Sequence, residues 1–103
     1  MEFSKYQTGA ARTIQTQLEP HELINHTLGL SGETGEVVEH IKKFLYHGRD
    51  LDLEMVAEEL GDVLWYVAAL CTTLGLSLDG VAFENLSKLE ERYPEGFSDN
   101  GGV

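Results

Sequence analysis

From Val63 to Leu74 the chain reads VLWYVAALCTTL, a helical stretch with almost no polar side. Val56, Leu60, Val63, Leu64, Val67, Leu70 and Leu74 recur at helical spacing and form one apolar face. Trp65, Tyr66, Ala68 and Ala69 leave little polar surface opposite. A helix that is apolar nearly all round must be buried all round. The chain has 103 residues, enough for one domain, and a few short helices cannot easily enclose one of their number. The expectation is a homo-oligomer, a dimer or tetramer, packed around this helix. In the alternative, Trp65 packs under the first helix of the same chain.

The remaining sequence is also helical, with no clean period-two alternation. Ser4 is placed to cap a first helix reaching about Gln17, before Pro20 interrupts. A second helix spans His21 to about Tyr46, with Leu30, Val37, Ile41, Phe44 and Leu45 as its stripe and Gly48 at its end. Asp52 caps a third that Gly75 stops at Leu74; Ser77 or Asp79 caps a fourth that ends at Tyr93, before Pro94. The fold class is therefore all-α, a four-helix up-down bundle. Residues 1–97 form one domain, and 98–103, glycine-rich, are expected to be disordered. Gly29, Gly32 and Gly35 each cost the second helix about 0.8–1.0 kcal/mol relative to alanine. The stripe resumes in phase across them, which favours a close approach there over a helix break.

Eighteen acidic residues against seven basic give a formal net charge of −11. That balance argues against nucleic acid and against an anionic membrane surface as partners. No apolar run approaches the ~20 residues of a membrane span, and MEFSKYQTGAA lacks a signal-peptide core. Cys71, the single cysteine, forms no intrachain disulfide and reads as a small core residue. These features point to the cytoplasm. A protein this acidic still binds a small polyanion if a divalent cation mediates.

Glu33 and Glu36 are three residues apart, and so are Glu59 and Asp62. In a helix such pairs share a face, with Cβ atoms about 5–6 Å apart. Acidic pairs of this kind are also common on solvated faces; Glu36 with Glu39 is another here. Asp62, however, leads directly into the apolar run, where an unpaired carboxylate is costly. The 22 residues between Glu36 and Glu59 let the second helix finish and the third return antiparallel, setting the pairs face to face. Four oxygen donors so arranged suit a hard cation, Mg²⁺ or Mn²⁺. None of His21, His26, His40 and His47 follows a glutamate by three residues, which counts against a di-iron bundle. There is no Cys/His cluster for zinc and no phosphate loop.

The segments GLSGETGEVVEHIKK, EELGDVLWYV and NLSKLEERYPEGF resemble the MazG-type nucleoside triphosphate pyrophosphohydrolases of the all-α NTP pyrophosphatase superfamily. The family signature, Glu-x-x-Glu then Glu-x-x-Asp, falls on Glu33, Glu36, Glu59 and Asp62, and the resemblance covers about Leu28 to Phe97. It implies an oligomeric helical bundle that hydrolyses an NTP or dNTP to the monophosphate and pyrophosphate. The four carboxylates would hold one or more Mg²⁺ ions, and water would attack the α-phosphorus.

On the fourth helix, Asn85, Lys88 and Arg92 share a stripe, and Leu86, Leu89 and Tyr93 follow one step round. Surface pairing of Lys88 with Glu84 and Glu91 would explain the lysine equally well. Family members tend to carry Asn, Lys and Arg-Tyr in this terminal motif. The resemblance therefore assigns Asn85, Lys88, Arg92 and Tyr93 to the substrate. Two other classes stay open: a catalytically silent interaction module of the same fold, and a carboxylate-bundle metal-binding or redox protein.

Overall fold

Asp52 and Ser77 each open a helix by turning a side-chain oxygen to an orphan amide: Asp52 Oδ1 accepts from Met55 N at 3.1 Å, Ser77 Oγ from Gly80 N at 3.1 Å. Between them Gly75 takes the left-handed conformation, φ 73°, which a side chain would disfavour, and closes the third helix. The structure, a computed structural model, describes residues 1–14 and 21–97. Its helices are α1 (Phe3–Ala11), α2 (His21–Tyr46), α3 (Leu53–Leu74) and α4 (Leu78–Arg92), as expected for an all-α chain. The tail after Phe97 lies outside the described residues.

The first helix differs from expectation. Glu2, not Ser4, precedes it, and makes no side-chain cap bond; Ser4 lends its carbonyl to the Thr8 hydroxyl at 3.0 Å. The helix stops at Ala11 rather than near Gln17. The Thr13 hydroxyl donates to the Ala10 carbonyl at 2.7 Å and accepts from Trp65 Nε1 at 2.8 Å, fixing a turn where the helix would have continued. Trp65 thus packs under α1 within its own chain, against the small core of Ala10, Ala68, Cys71 and Leu78.

α2 and α3 form an antiparallel hairpin. Of the three α2 glycines only Gly29 is pressed by α3, because a Cβ there would run into the Tyr66 ring; Gly32 and Gly35 meet nothing. Gly29→Ala should therefore lower stability by about 1–3 kcal/mol through overpacking, despite better helix propensity. Gly32→Ala should raise it by up to about 1 kcal/mol. Chemical denaturation of the two variants measures both.

α1 lies along the other side of α3. Gln7 ties it to the elbow after α3: Nε2 donates to Thr72 Oγ1 at 3.2 Å and to the Leu76 carbonyl at 2.9 Å, while Oε1 accepts from Leu78 N at 2.8 Å. Beyond the elbow α4 turns 108° from α3. It packs on α1 and α3 and not on α2, so the up-down pattern holds for α2 and α3 while α4 turns away from it.

The interior is thin. Ala68 and Ala69 are fully enclosed, but no large side chain is. Leu28 and Val38 on α2, Leu60 on α3 and Phe83 and Leu86 on α4 are all more than half exposed. The radius of gyration is 16.7 Å, against about 13 Å for a compact chain of this length. The exposed surface is 7835 Å², against about 5,800 Å² for a compact monomer of this mass. Among the described residues no single helix is long and apolar enough to cross a membrane.

Candidate metal centre

Glu33, Glu36 and His40 stand at i, i+3 and i+7 on α2 and therefore share one face. Glu59 and Asp62 share a face of α3, and the hairpin turns the two faces together. Donor atoms of Glu33, Glu59 and Asp62 lie within 4.8 Å of one another, and so do those of Glu36, His40 and Glu59. Glu59 belongs to both sets. Glu33, His40 and Glu59 are half-buried, whereas Glu36 and Asp62 face solvent.

No basic residue neutralises this cluster. Among the described residues the one ion-pair distance is His40 Nε2 to Glu59 Oε1, at 3.9 Å, too long for a hydrogen bond. Glu33 Oε2, while its carboxyl is ionised, and His40 Nε2 are both shielded from solvent and lack a hydrogen-bond partner. An unsatisfied buried group costs about 1–3 kcal/mol. Two such atoms beside a set of oxygen donors fit a divalent cation.

Glu33 is pushed up from 4.5 to about 7, first by a hydrogen bond its proton makes to Glu59, then by burial and by repulsion from Glu59 and Asp62. Tyr6 of α1 is raised by burial and then by the Asp62 charge. In the metal-free protein the folded chain holds the Glu33 proton more tightly than the unfolded chain does. Its stabilising contribution is therefore complete below pH 4.5 and lost as pH rises through about 7. The melting temperature in a chelator should fall from pH 5 to pH 8, and saturating Mg²⁺ should remove or reverse that fall. Thermal scans at the two pH values, with and without the cation, check it.

Among the described residues, Lys88 and Arg92 of α4 form no ion pair with the carboxylates of their own chain. Lys88 lies about 15 Å along α4 from the elbow and Asp62 about 18 Å back along α3, at 1.5 Å per residue. With the 108° bend, ideal helix rise sets their backbone positions about 20 Å apart along the helix axes. Asn85 and Lys88 border a groove of about 1170 Å³ shared with Phe3 and Leu76. Lys88 has no ion pair with Glu84 or Glu91, so the surface pairing considered for it is not formed. The Arg92 guanidinium lies 5.8 Å from the Tyr93 ring, and Tyr93 tilts against Phe97 at 5.6 Å.

A family model, the MazG nucleotide pyrophosphohydrolase domain, matches residues 21–97. The chain belongs to this family. The MazG match begins with the first residue of α2 and takes in both carboxylate pairs and all of α4, leaving α1 outside. The "Gene 37 protein" of Mycobacterium phage L5 is 41% identical over 83 residues, covering 74% of this chain and 70% of that protein. No solved structure matches the chain.

His40 was not among the residues expected at the MazG carboxylates. It falls outside the Glu-x-x-His pattern because Glu36 precedes it by four residues, a spacing that equally shares a helix face. Gln7 carried no signal, since its partners lie more than sixty residues away.

Proposed function

We propose that this MazG domain hydrolyses a nucleoside triphosphate, NTP or dNTP, to the monophosphate and pyrophosphate. Glu33, Glu36, Glu59 and Asp62 would hold Mg²⁺, with Mn²⁺ as a substitute. The observation that carries this reading is the convergence of the two carboxylate pairs across the α2–α3 hairpin without a protein cation to balance them. Bound there, the cation supplies charge neutralisation for the phosphate oxygens and the developing negative charge. The exposed carboxylates, Glu36 and Asp62, leave the cluster open on its solvent side to a triphosphate. A cluster carboxylate not engaged by the cation accepts a proton from the water that attacks the α-phosphorus. The bond from that phosphorus to the α–β bridging oxygen breaks, and pyrophosphate leaves. A nucleotide substrate and the free, buried Cys71 fit a cytoplasmic setting.

Polyanion binding also needs donors, and ideal helix rise sets the backbone of those on α4 about 20 Å from that of Asp62 in one chain. A second copy of the chain would supply them. Support comes from the excess exposed area of about 2,000 Å² per chain, within the range that obligate oligomers bury on each partner. The half-exposed leucines of α2 and α4 supply the apolar contact. In this homo-oligomer, dimer or tetramer, Arg92 of one copy grips phosphate oxygens bidentately, Lys88 adds a point charge, Asn85 a hydrogen bond, and Tyr93 a supporting ring.

A panel of NTPs and dNTPs screened for pyrophosphate release with Mg²⁺ or Mn²⁺ tests the activity and reads out base and sugar preference. No release from any nucleotide would leave the fold as a silent module. Lys88→Ala and Arg92→Ala should each lower kcat/KM at least about ten-fold, roughly 1.4 kcal/mol, on the best substrate. Their melting temperatures should match wild type, since both side chains are exposed.

A further inference from the structure

His40 is the one nitrogen donor among the described residues that enters the carboxylate cluster. Its Nε2 is shielded from solvent, points toward Glu59 Oε1 at 3.9 Å and has no hydrogen-bond partner. That separation is too long for a hydrogen bond, so Glu59 is not satisfied by the imidazole nor the imidazole by Glu59. It does fit two donors around one cation: ligands about 2.1 Å from a metal lie roughly 3–4 Å apart. Glu36, one helical turn before His40, brings a third donor atom within 4.8 Å of both.

We propose that His40 is a metal ligand, and that with Glu36 and Glu59 it forms a mixed nitrogen–oxygen subsite beside the all-oxygen subsite of Glu33, Glu59 and Asp62. Glu59 bridges the two. The inference rests on the metal-dependent reading above and adds to it a difference between the subsites. The all-oxygen set has the donors Mg²⁺ prefers, whereas an imidazole favours later transition metals such as Co²⁺. The two places for a cation on this hairpin are therefore chemically unequal.

The experiment loads the full chain with Mn²⁺ alone, at a concentration that fills both subsites, and records electron spin echo modulation. A directly bound imidazole gives a ¹⁴N coupling, and growth on ¹⁵N-histidine should convert it to a ¹⁵N coupling. The coupling should vanish in His40→Gln, in which Co²⁺ affinity by calorimetry should fall about ten-fold or more, with Mg²⁺ affinity changed far less. Bound Mn²⁺ with no nitrogen coupling in the wild type overturns the assignment of His40 while leaving the carboxylate site standing. Absence of any Mn²⁺ binding overturns both. If His40→Gln does not fold, His40→Asn tests the same coupling, and a ¹⁴N coupling retained in the folded variant overturns the assignment.

Discussion

Glu59→Gln should abolish Mg²⁺-dependent pyrophosphate release, by more than about 100-fold, while leaving the helical fold intact. Glu59 is the residue common to both donor sets, so its loss removes a ligand from each. Glutamine keeps the size of the side chain and removes its charge. In the metal-free protein at pH 8 the substitution also removes the main source of repulsion on Glu33, so the melting temperature should rise above that of wild type. Asp62→Asn should also stop turnover, and calorimetry should show it retaining more cation binding, since Asp62 belongs to one set. Full activity in Glu59→Gln, measured by pyrophosphate release, would end the assignment of this cluster as the catalytic centre.

Mixing two inactive chains should restore activity. In the proposed assembly each catalytic centre takes carboxylates from one copy and the α4 donors from another. A dimer formed from one Glu59→Gln chain and one Lys88→Ala/Arg92→Ala chain has one centre with both defects and one with neither. Co-expression at equal levels should then return about a quarter of wild-type pyrophosphate release, because random pairing makes half the dimers mixed and half their centres whole. Each variant alone should stay near background. Activity no higher than the sum of the two variants would place all the donors of one centre on a single chain, or remove α4 from the chemistry.

The helices with strong local punctuation were legible in the sequence. Asp52, Gly75 and Ser77 mark the start of α3, its end and the start of α4 through backbone chemistry that needs no distant partner, and the structure caps the helices at those residues. The opposed carboxylate pairs were legible as well, because period and chain return fix which face meets which. α1 was not: Gly9 lies inside it, no glycine or proline follows its end before Pro20, and the turn there is fixed by Thr13, held by a tryptophan fifty-two residues away. For the same reason the apolar back of α3 could not reveal that Trp65 turns to α1. The shared stripe of Asn85, Lys88 and Arg92 was readable from spacing, but its distance from the carboxylates depends on the bend after Gly75, which local sequence does not set.

That bend is held from outside. A three-residue link between two helices has little stiffness of its own, and Gly75 leaves it freer still. Gln7 acts as a splint across it, gripping the end of α3, the link and the first amide of α4 with one neutral side chain. The splint lies in α1, beyond the stretch this chain shares with its family. The heading of α4 can thus be reset by changes in a short N-terminal helix while every residue of the shared stretch stays the same. Chains with one common core could in this way swing their last helix to different angles and meet different surfaces with it.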